Sequence, residues 1–472
     1  MSVQPTTGRS GKLLKDIGIY AIGNLGSKLV TFLLVPLYTF YIRPAEYGYY
    51  DICLTAIFIL MPFLSLQLRD GGFRFLIDTD DTSRKQSIVT FVYKTLFRNS
   101  IVCIFIGVFV YMFTSVQYLW LLVELLIVMS IYEVVIQIIR GLGYTKYFVV
   151  SGIISSILIG VFSILFVVVF NFGIEGIFYS NIIARLITII ILELRLKIIK
   201  NYFGYKFNNP VINKEILRYC LPLLPGTLCW LLAGSSSKFF IEHYIGLNEN
   251  GLYAVALKFT SILETMAFIF FQAWQETALK QYDSKDRNKF FSTIMNNYLF
   301  VLISGVILFS FFLKINYGWL VAADYQQSMY YIYPISISAL FFSLSAFLEM
   351  GYQCSKKTIY TLPGILLSSS VNLIGNYFLI QILGVYGIIL SSILTFVTLF
   401  VYRVFDTRKF FKISFSNAII APIILLIISG FAYYYIQSIQ VNIIYFVIVL
   451  IALSIFAPVD VKQMIKNKIL RR

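Results

Sequence analysis

Residues 20–42, YAIGNLGSKLVTFLLVPLYTFYI, form an apolar run long enough to cross a membrane as a helix. One residue, Lys28, is out of place in that run. At ~1.5 Å per residue it lies ~16 Å from the side on which the helix enters the membrane. A cation at that depth costs ~2.5–3.5 kcal/mol on insertion scales. The sequence therefore predicts a neighbour or a ligand that compensates the charge of Lys28.

Similar apolar runs recur along the whole chain. The chain has 472 residues, of which 59% are hydrophobic and 13% charged, and its mean hydropathy is +0.83. Runs of ~18 to 25 apolar residues are typical of transmembrane helices. The sequence thus predicts an all-α polytopic membrane protein with fourteen transmembrane helices. They are expected near residues 17–42, 48–68, 99–115, 118–139, 148–171, 174–194, 219–241, 251–273, 291–313, 328–350, 359–381, 385–403, 415–436 and 442–458.

The distribution of positive charge predicts the orientation. With an even number of helices and an inner N-terminus, both termini are cytoplasmic, and 32 of the 38 Lys and Arg residues fall in inner segments. Only Arg43 and Lys314 fall in outer loops, and Lys28, Arg185, Lys238 and Lys258 lie inside helices. This asymmetry follows the positive-inside rule. The net charge of +16 therefore reflects orientation, and no nucleic-acid partner is expected.

Two weak internal matches indicate a duplicated unit. YIRPAEYGYY at 41–50 matches YIGLNENGLY at 244–253, and FGIEGI at 172–177 matches LGVYGI at 383–388. Six helices per copy give both copies the same orientation, so the predicted lobes are related by a pseudo-two-fold axis along the membrane normal. The predicted domains are an N-lobe with the inter-lobe linker, a C-lobe, and two further helices with a basic cytoplasmic tail, at residues 1–205, 206–412 and 413–472.

Polar side chains follow one face of several predicted helices. Asn24, Ser27 and Thr31 share a face with Lys28 at spacings of three and four residues. Because lipid does not tolerate such faces, they predict a water-filled space between the lobes. Serine and threonine stripes also serve as contacts between helices, and Lys238 is near enough to a helix end to reach the interface. Candidate cavity-lining residues that contact sugars are Asn24, Ser27, Thr31, Gln67 and Gln272.

The sequence offers few groups for chemistry. It shows no metal-ligand cluster, no pair of nucleophile and base, and no phosphate-binding loop. We therefore expect no catalytic residue, no metal and no cofactor, and a protein that is not an enzyme. Glu133, Glu264 and His243 are the candidates for ion coupling, and the two glutamates are also candidates for offsetting the buried cations.

Four stretches carry a family resemblance. YIRPAEYGYYDICL from residue 41 resembles the first outer turn of Wzx-type polysaccharide flippases in the multidrug/oligosaccharidyl-lipid/polysaccharide (MOP) exporter superfamily. DGGFRFL at 70–76 is similar to that family's Arg-Phe at the inner end of helix two. ENGLYAVALKF and FFQAWQETALKQY resemble its helix-eight region.

The resemblance implies a fold and a function. It implies alternating access around a central cavity, and movement of undecaprenyl-diphosphate-linked oligosaccharides across the bacterial cytoplasmic membrane for O-antigen, capsule or exopolysaccharide synthesis. The implied partners are the lipid-linked substrate, membrane lipids, a polysaccharide polymerase and a chain-length regulator, and the implied functional form is a monomer. By helix position the family's cationic cavity corresponds to Lys28, Arg74, Lys238 and Lys258. Arg185 joins this predicted diphosphate-binding set because of its depth in a helix.

Three alternatives remain open at this point. A lipid II flippase would need a similar cationic cavity. A cation-coupled drug exporter of the same superfamily would favour a carboxylate in the first helix, where this chain has Lys28. A membrane glycan polymerase or ligase would favour a large outer loop, whereas the longest predicted outer segment is about 314–327.

Overall fold

A computed structural model describes residues 32–204, 207–355 and 357–458, together with Gly26, Val30 and Lys462. Every regular element in these ranges is helical, which confirms the predicted all-α class. Contacts divide the described residues into two compact units, one reaching Ser235 and the other beginning at Ser236. The predicted domain limits at 205 and 412 remain predictions.

The helices are numbered in chain order. Those before residue 221 are α1 Phe32–Tyr41, α2 Pro44–Ser65, α3 Leu68–Ile77, α4 Thr82–Phe113, α5 Leu119–Gly141, α6 Thr145–Ser163 with a π-helical continuation Ile164–Val169, α7 Gly173–Leu196, α8 Ile198–Tyr202 and α9 Pro210–Cys220. Those after it are α10 Leu223–Tyr244, α11 Leu247–Gln281, α12 Arg287–Leu320, α13 Met329–Cys354, α14 Thr361–Leu383, α15 Val385–Asp406, α16 Ile420–Tyr435 and α17 Ile439–Phe456.

Twelve of the described helices are long and apolar enough to cross a membrane: α2, α4 to α7 and α11 to α17. A further helix, α10, has 22 residues but is not among the twelve, and only the end of the first predicted helix is described, as α1. The chain is therefore a multi-pass membrane protein, and the count of fourteen spans stays a prediction. Large side chains such as Phe105 and Phe109 on α4 are 69% and 62% exposed, as expected for a surface that faces lipid.

Several helices extend well beyond their apolar runs. Helix α4 begins at Thr82 rather than near residue 99, and Asp81 caps it by accepting hydrogen bonds from the backbone N–H groups of Ser83 and Arg84. Helix α12 has 34 residues and is therefore about 51 Å long. The hydrocarbon core of a bilayer is only ~30 Å thick. The apolar pattern marks the part of each helix inside the membrane but not its polar extension.

The second predicted helix is interrupted at its C-terminal end. The chain leaves α2 at Ser65, and Leu66 and Gln67 then adopt left-handed backbone conformations, with φ of 49° and 57°. The interruption frees backbone carbonyls, because the last carbonyls of a helix have no partner within it. The Asn99 side-chain amide donates to the carbonyl of Leu64 at 2.9 Å, and the Cys220 thiol lies 3.4 Å from the carbonyl of Gln67. Helix α2 thus ends three residues before the predicted limit near residue 68.

The helices of each unit are held together by close contacts. In the second unit Trp274 of α11 stacks on Phe347 of α13 with ring centroids 4.3 Å apart. In the first unit α3 and α9 approach so closely that a Cβ on Gly71 would overlap the Cys220 sulfur. Such close packing restricts the positions that neighbouring side chains can adopt.

Candidate functional site

The predicted site residues of the first helix lie outside the described residues. These are Asn24, Ser27, Lys28 and Thr31. Their common face and their part in substrate binding remain predictions.

Arg185 is the best-defined charged group inside a span of the first unit. It lies on α7, and its Nη1 donates to the side-chain oxygen of Asn181 at 2.7 Å and to the Asn181 carbonyl at 2.9 Å. The amide of Asn181 in turn lies 3.3 Å from the Tyr50 hydroxyl, and the Arg185 guanidinium is 5.9 Å from the Tyr132 ring centroid. Arg185 is thus held by neutral polar and aromatic groups, and no carboxylate in the described part of the chain is bonded to it directly.

Glu133 pairs with a different arginine. Its Oε2 lies 3.2 Å from Nη1 of Arg69 on α3, with the two side chains 32% and 45% exposed, and Arg69 also lies 3.6 Å from Asp70. Glu133 is near enough to Arg185 to interact electrostatically. The structure therefore brings two predicted site residues, Glu133 and Arg185, into one polar cluster of the first unit.

Two other predicted residues lie near the break between α2 and α3. Arg74 is 55% exposed and pairs with Asp78, one helical turn away, at 2.5 Å. Gln67 is buried at 4% exposure, and its amide nitrogen has no hydrogen-bond partner among the described residues. Within the described residues the remaining N–H donors of Arg74 face no other partner, and its predicted role in phosphate binding stays a prediction.

The predicted residues of the second unit lie on α10 and α11. Lys238 and Lys258 are half-buried, and Glu264 is exposed; each of the three takes part in a polar or electrostatic interaction. Gln272 is half-buried, and His243 is exposed with its ring 4.9 Å from that of Tyr244. Side chains that are exposed or half-buried are compatible with roles at a polar surface, and those roles stay predictions.

The second unit contains a buried cluster of neutral polar side chains that was not predicted from the sequence. The side-chain amide of Asn376 on α14 lies 3.3 Å from the Ser237 hydroxyl of α10 and 3.1 Å from the side-chain oxygen of Asn372. Asn372 in turn donates to Thr395 of α15 at 3.2 Å, and Asn376 is 0% exposed. The cluster joins α10, α14 and α15 without a charged group, and its signal was a pair of asparagines four residues apart in an apolar run.

A second missed network includes a buried arginine. Arg403 on α15 is 4% exposed and donates to the carbonyl of Ser345 at 2.8 Å. It pairs with Glu349 at 3.1 Å, and Gln353 and Gln275 extend the network to α11. The network joins α11, α13 and α15 of the second unit near their C-terminal ends.

The position of Lys314 differs from the one predicted from the sequence. It was expected in an outer loop but lies inside α12, 7% exposed. Its ammonium group donates to the backbone carbonyls of Tyr433 and Ile436 at 2.5 Å each. These carbonyls belong to the end of α16, where cations are stabilised by the helix dipole. Lys314 therefore joins α12 to α16.

A cleft of about 670 Å³ lies among α11, α12 and α13. Met266 and Val301 at its walls are 58% and 52% exposed, and the lining is largely apolar, with Asn297, Tyr298, Ser336 and Ser343 as its polar members. A cleft with this lining suits hydrocarbon better than an ion. Among the described residues no group of three or more His, Cys, Asp or Glu side chains could hold a metal.

The comparisons with known proteins agree with this architecture. A search of curated proteins gives no significant match. The solved structure of the lipid II flippase MurJ in its inward closed conformation aligns over 94% of this chain and 99% of its own, with a TM-score of 0.68 and 14% identity. The Vibrio cholerae MATE transporter VcmN in the bent form covers 85% and 97%, at a TM-score of 0.54 and 12% identity.

A third structure is the inward-facing conformation of a multidrug resistance MATE family transporter of the MOP superfamily. It aligns over 84% of this chain and 94% of its own, at a TM-score of 0.55 and 14% identity. At these identities the structures establish the fold, which is the one predicted from the resemblance. Residues 13–275, more than half of the sequence, match the model of a protein family described as polysaccharide biosynthesis protein, and the chain therefore belongs to that family.

Proposed function

We propose that this protein is a flippase for undecaprenyl-diphosphate-linked oligosaccharide repeat units, which it moves from the inner to the outer leaflet by alternating access during surface polysaccharide synthesis. Membership of the polysaccharide biosynthesis protein family carries this proposal. The MurJ-like fold supports it, because MurJ is a lipid II flippase.

The physical chemistry of the cargo supports the same function. A diphosphate cannot enter hydrocarbon bare, because an unpaired buried charge costs many kcal/mol. Arg185, held by Asn181 and Tyr132 within a span, is a cation that such a group could approach. Lys28, Lys238 and Lys258 supply further positive charge in this proposal. The apolar cleft among α11, α12 and α13 is suited to a hydrocarbon chain.

The proposal includes an orientation and a lobe structure. The positive-inside distribution of Lys and Arg supports cytoplasmic termini in a bacterial cell. Residues 1–205 and 206–412 would form the two lobes that alternate around the cavity, with 413–472 as an appendage. A polymerase and a chain-length regulator would act on the product at the outer face, and the flippase itself would be a non-enzymatic monomer.

Two alternative substrates are supported by specific structural matches. The MurJ match favours lipid II, and the matches to MATE transporters favour a drug coupled to cation flow. The decisive test uses the purified full-length chain in liposomes, with fluorescent lipid-linked oligosaccharide, fluorescent lipid II and a cationic dye offered separately. We expect translocation of the oligosaccharide lipid only. Faster movement of lipid II or of the dye would replace the proposed substrate, and ligation or polymerisation of glycan would refute a pure transporter.

A further inference from the structure

A small polar pocket lies where several helices of the second unit end. Its volume is about 270 Å³. Helix α11 ends just before it, α13 ends beside it, and α14 begins beside it. The described residues that line it are Tyr282, Ser355, Lys357, Tyr360, Lys409 and Phe410. The pocket therefore lies at the ends of the apolar helices α11, α13 and α14.

The pocket is positively charged. Its described lining contains two ammonium groups, those of Lys357 and Lys409, and no carboxylate. The Lys409 ammonium lies 4.2 Å from the centroid of the Tyr360 ring and 2.8 Å from the Asp406 carboxylate. The other oxygen of Asp406 accepts a hydrogen bond from Tyr352 at 2.8 Å. Asp406 therefore holds Lys409 in place while sharing its own charge with a second donor.

Residues next to the lining carry charges of both signs. Arg287 at the start of α12 lies over the Tyr282 ring at 4.7 Å, and Arg408 precedes Lys409 in the sequence. Asp283, next to Tyr282, is the nearest acidic residue along the chain apart from Asp406. Within the described lining itself both charged side chains, Lys357 and Lys409, are cationic, which favours an anionic occupant.

The surface next to the pocket is apolar. Ile359, Leu362 and Leu366, at the start of α14 and just before it, are 71%, 49% and 59% exposed. A ligand that fills the polar pocket and also covers this surface must have an anionic head and hydrocarbon chains. Free phosphate would satisfy only the first requirement.

We propose that this pocket binds the phosphate of an anionic glycerophospholipid, whose acyl chains lie along the first turns of α14. Basic pockets at the ends of membrane helices recognise anionic head groups in this way, and lysine is a common phosphate ligand. With the orientation given under the proposed function, this lipid would belong to the cytoplasmic leaflet. The ligand class does not depend on what the protein transports.

The test measures lipid binding without any transport substrate. The purified full-length chain is placed in phosphatidylcholine nanodiscs, and the retention of added phosphatidylglycerol is measured by native mass spectrometry. The double substitution Lys357→Gln/Lys409→Gln should weaken phosphatidylglycerol binding about thirtyfold, since each basic residue near an anionic lipid surface contributes about fivefold. Ser355→Phe, which fills the pocket without changing its charge, should also abolish preferential binding.

The matched control is Lys146→Gln/Lys200→Gln, which removes the same charge from the first unit. It should leave phosphatidylglycerol binding unchanged, and excess inorganic phosphate should not displace the lipid. Wild-type binding by both pocket variants would overturn the proposal. An equal loss in the control variant, or displacement by inorganic phosphate, would likewise overturn it in favour of general charge attraction or a free-phosphate site. Because no substrate is present, none of these outcomes bears on the proposed flippase activity.

Discussion

Arg69 and Glu133 form an ion pair between α3 and α5, with Nη1 and Oε2 3.2 Å apart. The pair joins the short helix that follows the break in the chain to a helix at the centre of the first unit. It also places a carboxylate within electrostatic range of Arg185. The contribution of Glu133 to stability and its predicted part in ion coupling can therefore be tested separately.

Glu133→Gln should separate those roles. Both partners are partly exposed, and ion pairs of this kind contribute about 0–1 kcal/mol, so the melting temperature should change little. If Glu133 couples transport to protons, the variant should lose the pH dependence of transport in liposomes. Glu124→Gln, on an exposed position of the same helix, is the control. An unchanged pH profile in Glu133→Gln would remove Glu133 from the coupling candidates.

Lys314→Met should loosen α16. The change removes the buried donor from the Tyr433 carbonyl, whereas the Ile436 carbonyl keeps the side-chain amide of Asn442 at 3.3 Å. An unsatisfied buried group costs about 1–3 kcal/mol. We expect faster hydrogen exchange at the end of α16 and a lower melting temperature. Lys289→Met, in the first turn of the same helix and exposed, should affect neither. Equal protection in the two variants would show that the contact contributes nothing to stability.

The orientation can be tested with native thiols. Cys354, half-exposed at the end of α13, should react with a membrane-impermeant reagent in inside-out vesicles and not in intact cells. Cys220 should stay unlabelled in both, because it is fully buried. Burial also raises the pKa of its thiol to about 12, which keeps it in the unreactive protonated form at neutral pH. A Cys354→Ser variant identifies the labelled site. Labelling of Cys354 from outside would reverse the orientation.

Lys28 should be required for transport and not for insertion. Lys28→Arg keeps the charge and should retain partial export, whereas Lys28→Ala should insert at least as well as the wild type and yet lower surface glycan sharply. Lys28→Glu should be the most severe, because it repels the diphosphate. Expression must be measured alongside glycan, since misfolding would mimic a transport defect. Normal insertion and wild-type export by both Lys28→Ala and Lys28→Glu would make Lys28 a tolerated structural charge.

Transport should slow when the membrane potential is collapsed. With the inside negative, outward movement of an uncompensated anion is favoured by ~2.3 kcal/mol per charge per 100 mV. The measurement is the rate of oligosaccharide-lipid translocation in liposomes with an imposed potassium diffusion potential, with and without an ionophore. A rate that follows only the proton gradient would contradict this energy source and direct attention to Glu133, Glu264 and His243.

The sequence predicted the helical fold well because apolar runs of membrane length are typical of transmembrane helices and rare elsewhere. It could not predict how far helices continue outside the hydrocarbon. Lys314 was placed in a loop because the apolar pattern weakens near it, whereas the helix continues to Leu320. What stabilises the lysine there is a pair of carbonyls more than a hundred residues away, and no local pattern contains that information.

The candidate site was predictable only in part. The depth of Arg185 in an apolar run marked it as unusual, and its partner Asn181 lies one turn away, within reach of a sequence argument. The pairing of Glu133 with Arg69 was not foreseen, because it depends on the break at Leu66 and Gln67, which turns α3 toward α5. Asn372 and Asn376 were overlooked because uncharged residues in an apolar run gave no strong signal.

The contact between Lys314 and the end of α16 has a consequence for how the chain is made. Helix α12 leaves the ribosome about a hundred residues before Tyr433, so its lysine must enter the membrane before its acceptors exist. Until α16 arrives, that cation lacks the two carbonyls that accept its hydrogen bonds. The completion of synthesis is thus coupled to the stability of a helix inserted much earlier. A chain that stops before residue 420 would retain an unpaired charge in α12 and be a natural target for membrane quality control.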